Sequence, residues 1–226
     1  MRHMQVLGVE LKDYSVREAM RKVDFFLRDG RVATIAYIAS LGLMKVESSP
    51  ELRAFLGQMD MTVAADADVL RAGGVHVRSR IKEIENDEFL KEFMKKLARG
   101  KKAVYLLSDT KGQLESLENN LRDYQPNLYI VGKFSMDELE QDEDYLINEM
   151  NGLTPNVLIS NISSPLREQF FENHHMKMNV SIWLMLKDKM DFATEKRNPL
   201  HRLRDRLGRA LFHKKVEKYQ SDIEKE

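Results

Sequence analysis

AVYLLSDTKGQLESLENNLRDYQPNLYIV, residues 103–131, is the stretch that decides the fold. Its first five residues form a short unbroken apolar run, the pattern of a strand buried on both faces of a sheet. The polar triplet Ser108-Asp109-Thr110 ends that run, a helix is expected from about Gly112 to Tyr124, and a second strand follows Pro126 at 128–131. Strand, helix and strand in so few residues make a crossover unit, which joins parallel neighbours in one sheet.

The same alternation extends in both directions. Upstream, residues 88–98 read as an amphipathic helix with Phe89, Leu90, Phe93 and Leu97 on one face, capped by Asn86 or Asp87 and ended by Gly100. Residues 61–65 read as a strand, and Gly73-Gly74 as a loop. Residues 32–38 (VATIAYI) are another buried strand, followed by a helix over 41–46 and a second one that Ser49-Pro50 starts. Ser15 and Glu18 make a capping box for a helix that carries Val16, Met20, Val23 and Phe26 and stops at Asp29-Gly30. Residues 4–9 are expected to be one further strand.

Downstream, a helix is expected over 137–150, a strand over 156–159, a helix that Pro165 opens and Glu172 ends, and a last strand over 180–186. The fold class expected is therefore α/β, a Rossmann-like, mostly parallel sheet with helices on both faces. The pattern becomes purely helical and basic near residue 196. Two units are expected, an α/β domain over 1–195 and a basic amphipathic C-terminal helical appendage over 196–226.

Composition narrows the functional classes. The chain has 226 residues, enough to bury a sizeable core without a metal or disulfide staple. It has 0 Cys, which excludes disulfides, thiolate metal sites and a cysteine nucleophile. No apolar run approaches the roughly 18–20 residues of a membrane span. Glu10, Lys12 and Asp13 come too early for the apolar region of a signal peptide, so an unprocessed, cytoplasmic chain is expected. Lys+Arg and Asp+Glu both total 36, yet residues 196–215 hold eight Lys/Arg against the single acid Asp205. A neutral total with one basic end points to a localised anionic partner and not to a general nucleic-acid surface.

Ligands of open parallel sheets bind beyond the carboxyl ends of the strands. Asp66 and Asp68 fall there, where a base could take a proton from an acceptor hydroxyl. The same place also suits a helix N-cap, which Asp serves well. Glu168 lies one turn into its helix, placed either to contact donor hydroxyls or to complement the positive helix end. Ser163 and Ser164 precede that helix as anion contacts or as caps. His174 and His175 are adjacent, which suits a surface helix terminus better than a metal site. His201 and His213 need no role beyond the basic tail. Trp183 and the 13 methionines read as core. In the tail, Leu200, Leu203, Leu207 and Leu211 share a helical face, with Arg202, Arg206, Arg209 and Lys214 elsewhere. That pattern suits an anionic membrane surface, arginines reaching a diphosphate, or a helix docked on the domain.

Three stretches together resemble one family. Residues 103–132 match a strand, loop and helix followed by a "YPxLxIVG" strand. Residues 150–171, MNGLTPNVLISNISSPLREQFF, are similar to "INxxxPDLLxVxxGxPxQExW". Residues 196–219, KRNPLHRLRDRLGRALFHKKVEKY, are similar to "RAPxWxxRxGLEWxxRLxxEPxR". The family is the TagA/WecG/CpsF glycosyltransferases, N-acetylmannosaminyltransferase-like enzymes of teichoic acid, common-antigen and capsule synthesis, and this chain resembles a divergent member.

The resemblance implies transfer of an N-acetylhexosamine from a UDP-sugar to a polyprenyl-diphosphate-linked acceptor in cell-surface polysaccharide synthesis. It also implies a peripheral place on the inner face of the cell membrane. It makes Asp66 the catalytic base and Ser163, Ser164, Glu168, Asp87 and Ser108 donor-binding residues. Arg197, Arg202, Arg206 and Arg209 would meet a diphosphate or the membrane. No cofactor and no divalent metal are expected, although Asp66-Ala67-Asp68 has the letters of a metal motif. Pro165, Glu168, Asp191 and Phe192 match the family letters. The family's "TxN" is Tyr37-Ile38-Ala39 here, its segment glycine is Ser163 and its Gln is Arg167. Those departures keep a second reading open: a catalytically degenerate homologue that binds or scaffolds an active glycosyltransferase. Self-association and a complex with another glycosyltransferase both remain open as partners.

Overall fold

A computed structural model describes residues 1–139, 142–186 and 199–223, the last stretch with side chains from 207 to 222. The chain opens with strands β1 (Arg2–Val6) and β2 (Val9–Asp13), paired as an antiparallel hairpin. One strand was expected here. The turn that splits it is Leu7-Gly8, with φ of 51° and 71°. Positive φ at both turn residues gives the twist that suits a two-residue hairpin, and Leu is an unusual first occupant.

Helix α1 (Val16–Asp29) follows with its capping box formed in both directions, Ser15 to Glu18 and back. Next come β3 (Ala33–Ile38), α2 (Ser40–Ser48), α3 (Pro50–Gly57), β4 (Met61–Ala64), α4 (Ala67–Ala72), α5 (Arg78–Glu85) and α6 (Glu88–Arg99). The deciding stretch folds as β5 (Val104–Ser108), α7 (Lys111–Tyr124) and β6 (Ile130–Ser135). The chain continues through α8 (Glu143–Gly152), β7 (Val157–Ser160), α9 (Leu166–His174), β8 (Ile182–Met185) and α10 (Pro199–Ile223). The short α4 and α5 were not expected, and α8 starts six residues later than the sequence suggested because β6 and a 3-10 turn occupy the space before it.

All six strands β3 to β8 run parallel in the order β4-β3-β8-β7-β5-β6, so the sheet is wholly parallel and the hairpin stands apart from it. Strand side chains alternate between two packed layers. Ile35, Tyr37, Leu106, Ile159 and Leu184 meet α1, α6 and α7 on one face. Ala36, Leu107, Leu158, Trp183 and Met185 meet α3, α8 and α9 on the other. Trp183 is fully buried, as expected of core, and its indole N–H donates to Ser160 Oγ at 2.8 Å.

A third cluster joins the hairpin, α2, α4, α5 and α10 through Val6, Leu11, Leu43, Leu70, Ile81, Phe212 and Val216. Of the three readings of the tail's leucine stripe, docking on the domain does not fall to Leu207 and Leu211. Leu207 and Leu211 are 58% and 61% exposed, whereas Phe212 is fully buried. The docked face is made by Gly208, Phe212, Val216 and Tyr219, whose spacing puts them on one side of the helix. Gly208 lets α10 lie close on Leu41, since a Cβ there would meet Leu41 Cδ2 at 2.9 Å.

Candidate active site

The chain leaves β3 for the edge strand β4, and leaves β5 for the opposite edge strand β6. Loops at the carboxyl ends of the two halves therefore diverge, which opens the crevice where such sheets take ligands.

Asp66 follows β4 and is the N-cap of α4, accepting from the Val69 N–H at 3.2 Å through Oδ1. Its Oδ2 accepts from the Ser40 N–H at 2.8 Å and from Ser40 Oγ at 3.0 Å. Ser40 starts α2, whose N-cap residue Ala39 has no side chain able to cap. One carboxylate thus caps two helices from adjacent strands. A carboxylate offers about four lone-pair positions, so three donors leave one for an incoming proton. Asp68, two residues on, turns away toward α10: it is buried, with Arg71 Nη1 at 3.0 Å and His213 Nε2 at 3.4 Å. The His213 contact was not foreseen. Among the described residues no group of three or more His, Asp or Glu is arranged to hold a metal ion.

Asp87 stands at the N-terminus of α6 with φ of 50° and makes no side-chain cap. Tyr124 bonds to it instead, and burial followed by the Asp87 charge pushes the Tyr124 phenol up. Tyr37 is 8% exposed with its ring 6.1 Å from that of Phe89. Its hydroxyl is buried with no hydrogen-bond partner. Burial, then the neighbouring Asp87 and Tyr124, raise its phenol well above the ordinary value.

At the ends of β5 and β7, Ser108 is fully buried and donates to Asn161, tying the two strands together. Asp109 reaches across the same gap. The Ser163 N–H donates to both of its carboxylate oxygens at 3.1 Å each. Pro165 occupies the N-cap of α9 and no side chain caps that helix, so of the two readings of Ser163 and Ser164 the capping one is not realised. Glu168 accepts from Arg167 Nε at 3.0 Å and Nη2 at 2.5 Å through Oε1, while Oε2 is buried without a partner. The Arg167 guanidinium lies 5.4 Å from the Phe55 ring centroid. Arg167 therefore ties down the neighbouring glutamate.

Asp66 and Glu168 are brought to one rim but not together. The order places β4 and β7 three strand spacings apart, roughly 14 Å. Only an extended ligand spans them. Beside β4, a small cavity of about 20 Å³, room for one water, is lined by Tyr14, Thr62, Arg80, Glu83 and Phe89. Arg80 anchors it, with Nη2 2.6 Å from Asp13 Oδ1 and Nη1 on Glu83, which also accepts from the Val16 N–H at 3.0 Å. This network was not foreseen, because its members lie 67 residues apart in sequence.

His174 corrects another expectation. It is 4% exposed, with Nε2 2.6 Å from Glu143 Oε2, and its ring packs on Phe170. Its side chain is covered by the start of α8, while Glu172, Asn173 and Met176 around it are exposed. Of the tail residues, Arg209 is exposed on α10. Arg202 and Arg206 lie on the same helix with side chains outside the described residues, and Arg197, Asp191 and Phe192 lie outside them entirely. Among the described residues no helix is long and apolar enough to cross a membrane.

Comparison with known proteins gives one result of wide coverage. A family model described as "Glycosyl transferase WecG/TagA/CpsF family" matches residues 4–215. No curated protein matches the chain.

Proposed function

This chain belongs to the WecG/TagA/CpsF glycosyl transferase family, and from that premise we propose that it moves an N-acetylhexosamine from a UDP-sugar to a polyprenyl-diphosphate-linked acceptor at a membrane surface. The observation that supports the reading most is Asp66. It is ionisable, fixed by three donors at the carboxyl end of a parallel strand, and keeps one lone pair for a proton.

In the proposed reaction the acceptor hydroxyl oxygen forms a bond to C1 of the donor sugar. The bond from C1 to the diphosphate oxygen breaks, and UDP leaves with that electron pair. The hydroxyl proton passes to Asp66, which acts as general base. Ser40, which gives Asp66 two hydrogen bonds, sets the direction of its free lone pair. Glu168, Asp87, Ser163 and Ser164 line the donor end in this reading; Ser108, expected beside them, is fully buried and instead ties β5 to β7 behind the site. Arg197, Arg202, Arg206 and Arg209 offset the charge of the acceptor's diphosphate and of anionic lipid. The exposed Leu207 and Leu211 beside Leu41, with Lys214 and Lys218 on the same helix, suit that placement. The reading needs no metal and no further cofactor.

The test is transfer from UDP-N-acetylhexosamines to a short-chain polyprenyl-diphosphate sugar by the wild type and by Asp66→Asn. The variant should lose roughly 10²–10⁴-fold in rate, the usual weight of a general base. Full transfer by a folded Asn variant would remove the base from the mechanism. The melting temperature is read alongside, because Asn presents an N–H to Ser40 where the carboxylate presents an acceptor.

A further inference from the structure

The geometry points to Asp109 as a built-in anion that occupies the diphosphate end of the donor site and so sets how strongly this chain accepts a charged donor. The inference rests on the proposed donor site at the strand carboxyl ends.

A diphosphate bound to a parallel α/β sheet is held by loop N–H groups and helix N-termini at that rim. In this protein two such donors beside β5, β6 and β7 already have internal carboxylates as partners, and the Gln113 N–H has the Thr110 hydroxyl. The Ser163 N–H, just ahead of α9, is shared by both Asp109 oxygens at 3.1 Å. The Lys111 N–H, first in α7, donates to Asp137 Oδ2 at 3.3 Å. The Lys111 ammonium lies 3.3 Å from Glu138 Oε1, and that carboxylate also accepts from Ser135 Oγ at 2.5 Å. The Asp137 N–H in turn donates to the Asp109 carbonyl at 3.0 Å, so the acidic turn is fastened to the same loop.

Asp109 has the largest effect of the three. Asp137 and Glu138 are exposed and screened by solvent, whereas Asp109 is half-buried between two strand ends. A phosphate that reaches the Ser163 N–H must displace the Asp109 carboxylate or sit beside it. Both routes weaken binding, the first through the lost hydrogen bonds and the second through like charge. Asp109 therefore works against diphosphate donors and leaves uncharged parts of a ligand unaffected.

The isosteric variant Asp109→Asn separates charge from fold, because its Oδ1 still accepts from the Ser163 N–H. One charge removed at roughly 6 Å under an effective dielectric of about 40 corresponds to about tenfold in affinity. The experiment is calorimetric titration of the full chain, at fixed ionic strength, with UDP, inorganic pyrophosphate and uridine. The proteins are the wild type, Asp109→Asn and Asp123→Asn, the last removing an exposed charge at the far end of α7.

The expected result is UDP and pyrophosphate binding about tenfold tighter to Asp109→Asn, uridine unchanged, and Asp123→Asn like the wild type. Equal or weaker binding by a folded Asp109→Asn overturns the inference. So does an equal gain in Asp123→Asn, which would make the effect one of bulk charge, and so does failure of both proteins to bind either phosphate probe. A gain for pyrophosphate without one for UDP keeps Asp109 in this role while removing the uridine nucleotide from the proposed reaction.

Discussion

Replacing Tyr37 by Phe should make the protein more stable. The Tyr37 hydroxyl is buried at the end of β3 with no partner, and the ring itself packs against Phe89. A buried hydroxyl left unpaired costs about 1–3 kcal/mol relative to one kept in water. Phe retains the ring contacts and removes only the oxygen, so the variant should gain about 1–2 kcal/mol. For a chain of this length that is roughly 3–6 °C in Tm. With a urea m-value of about 2–3 kcal/mol/M, the midpoint should rise by roughly half a molar. Urea and thermal unfolding, followed by far-UV circular dichroism, would read both. A loss of about 1 kcal/mol or more would refute the reasoning, because it would mean that the hydroxyl has a partner, for instance a water shared with Asp87. Tyr37→Ala makes the complementary control: removing the ring from a packed face should cost about 3–5 kcal/mol whichever state the hydroxyl is in.

Phe212→Ala should cost about 3–5 kcal/mol by opening a cavity under α10, and limited proteolysis should then cut first within 199–223. Unchanged stability would mean that α10 is not part of the core. Arg80→Ala should lower stability by about 3 kcal/mol, because it leaves the buried Asp13 and the half-buried Glu83 without their cation; denaturant unfolding reads it. Glu118 is held below the ordinary glutamate value near 4.5 by its hydrogen bond to Lys133, then by Arg122. Its contribution is therefore complete above about pH 4.5 and lost as pH falls through the lower folded value. Glu118→Gln should cost about 1 kcal/mol at pH 7 and progressively less as pH falls below about 4.5, and a cost that does not shrink with falling pH would point to packing instead.

The parts of the fold that could be read from the chain are those where local chemistry and burial agree. Residues 104–107 are apolar throughout because both faces of β5 are covered. Ser15 and Glu18 satisfy each other as they would in an isolated helix. The hairpin was hidden because Leu7 takes a positive φ that its side chain does not advertise. Helices α4 and α5 span six and eight residues, too short to show a period. In the tail, spacing identified a leucine stripe, but the core was chosen by Gly208, where close approach is allowed, and by the larger Phe212.

For the site, position beside a strand end was legible and partnership was not. Asp66 was identified as either base or cap, and the structure makes it a cap of two helices with one lone pair to spare. Asp109 was visible only as one member of the polar triplet that ends β5. Its bond to Ser163 links residues 54 apart, and no local pattern reports it. The Arg167–Glu168 pair is adjacent in sequence, yet its stacking on Phe55 comes from another helix entirely.

The union of α10 with the hairpin has a consequence for how the protein is made. Tyr219 lies against the Leu7-Gly8 turn, its hydroxyl 2.8 Å from where a Gly8 Cβ would stand, and Phe212 and Val216 close a cluster begun by Met4, Val6 and Leu11. These partners are separated by about 200 residues, so at roughly 5–20 residues per second the ribosome delivers the second about 10–40 s after the first. Throughout that interval the nascent chain presents an uncovered apolar surface around the hairpin, α2 and α4. Translation pauses ahead of residue 212 prolong that exposure, and synthesis of this protein should depend on chaperones that shield emerging chains more than its finished stability would suggest.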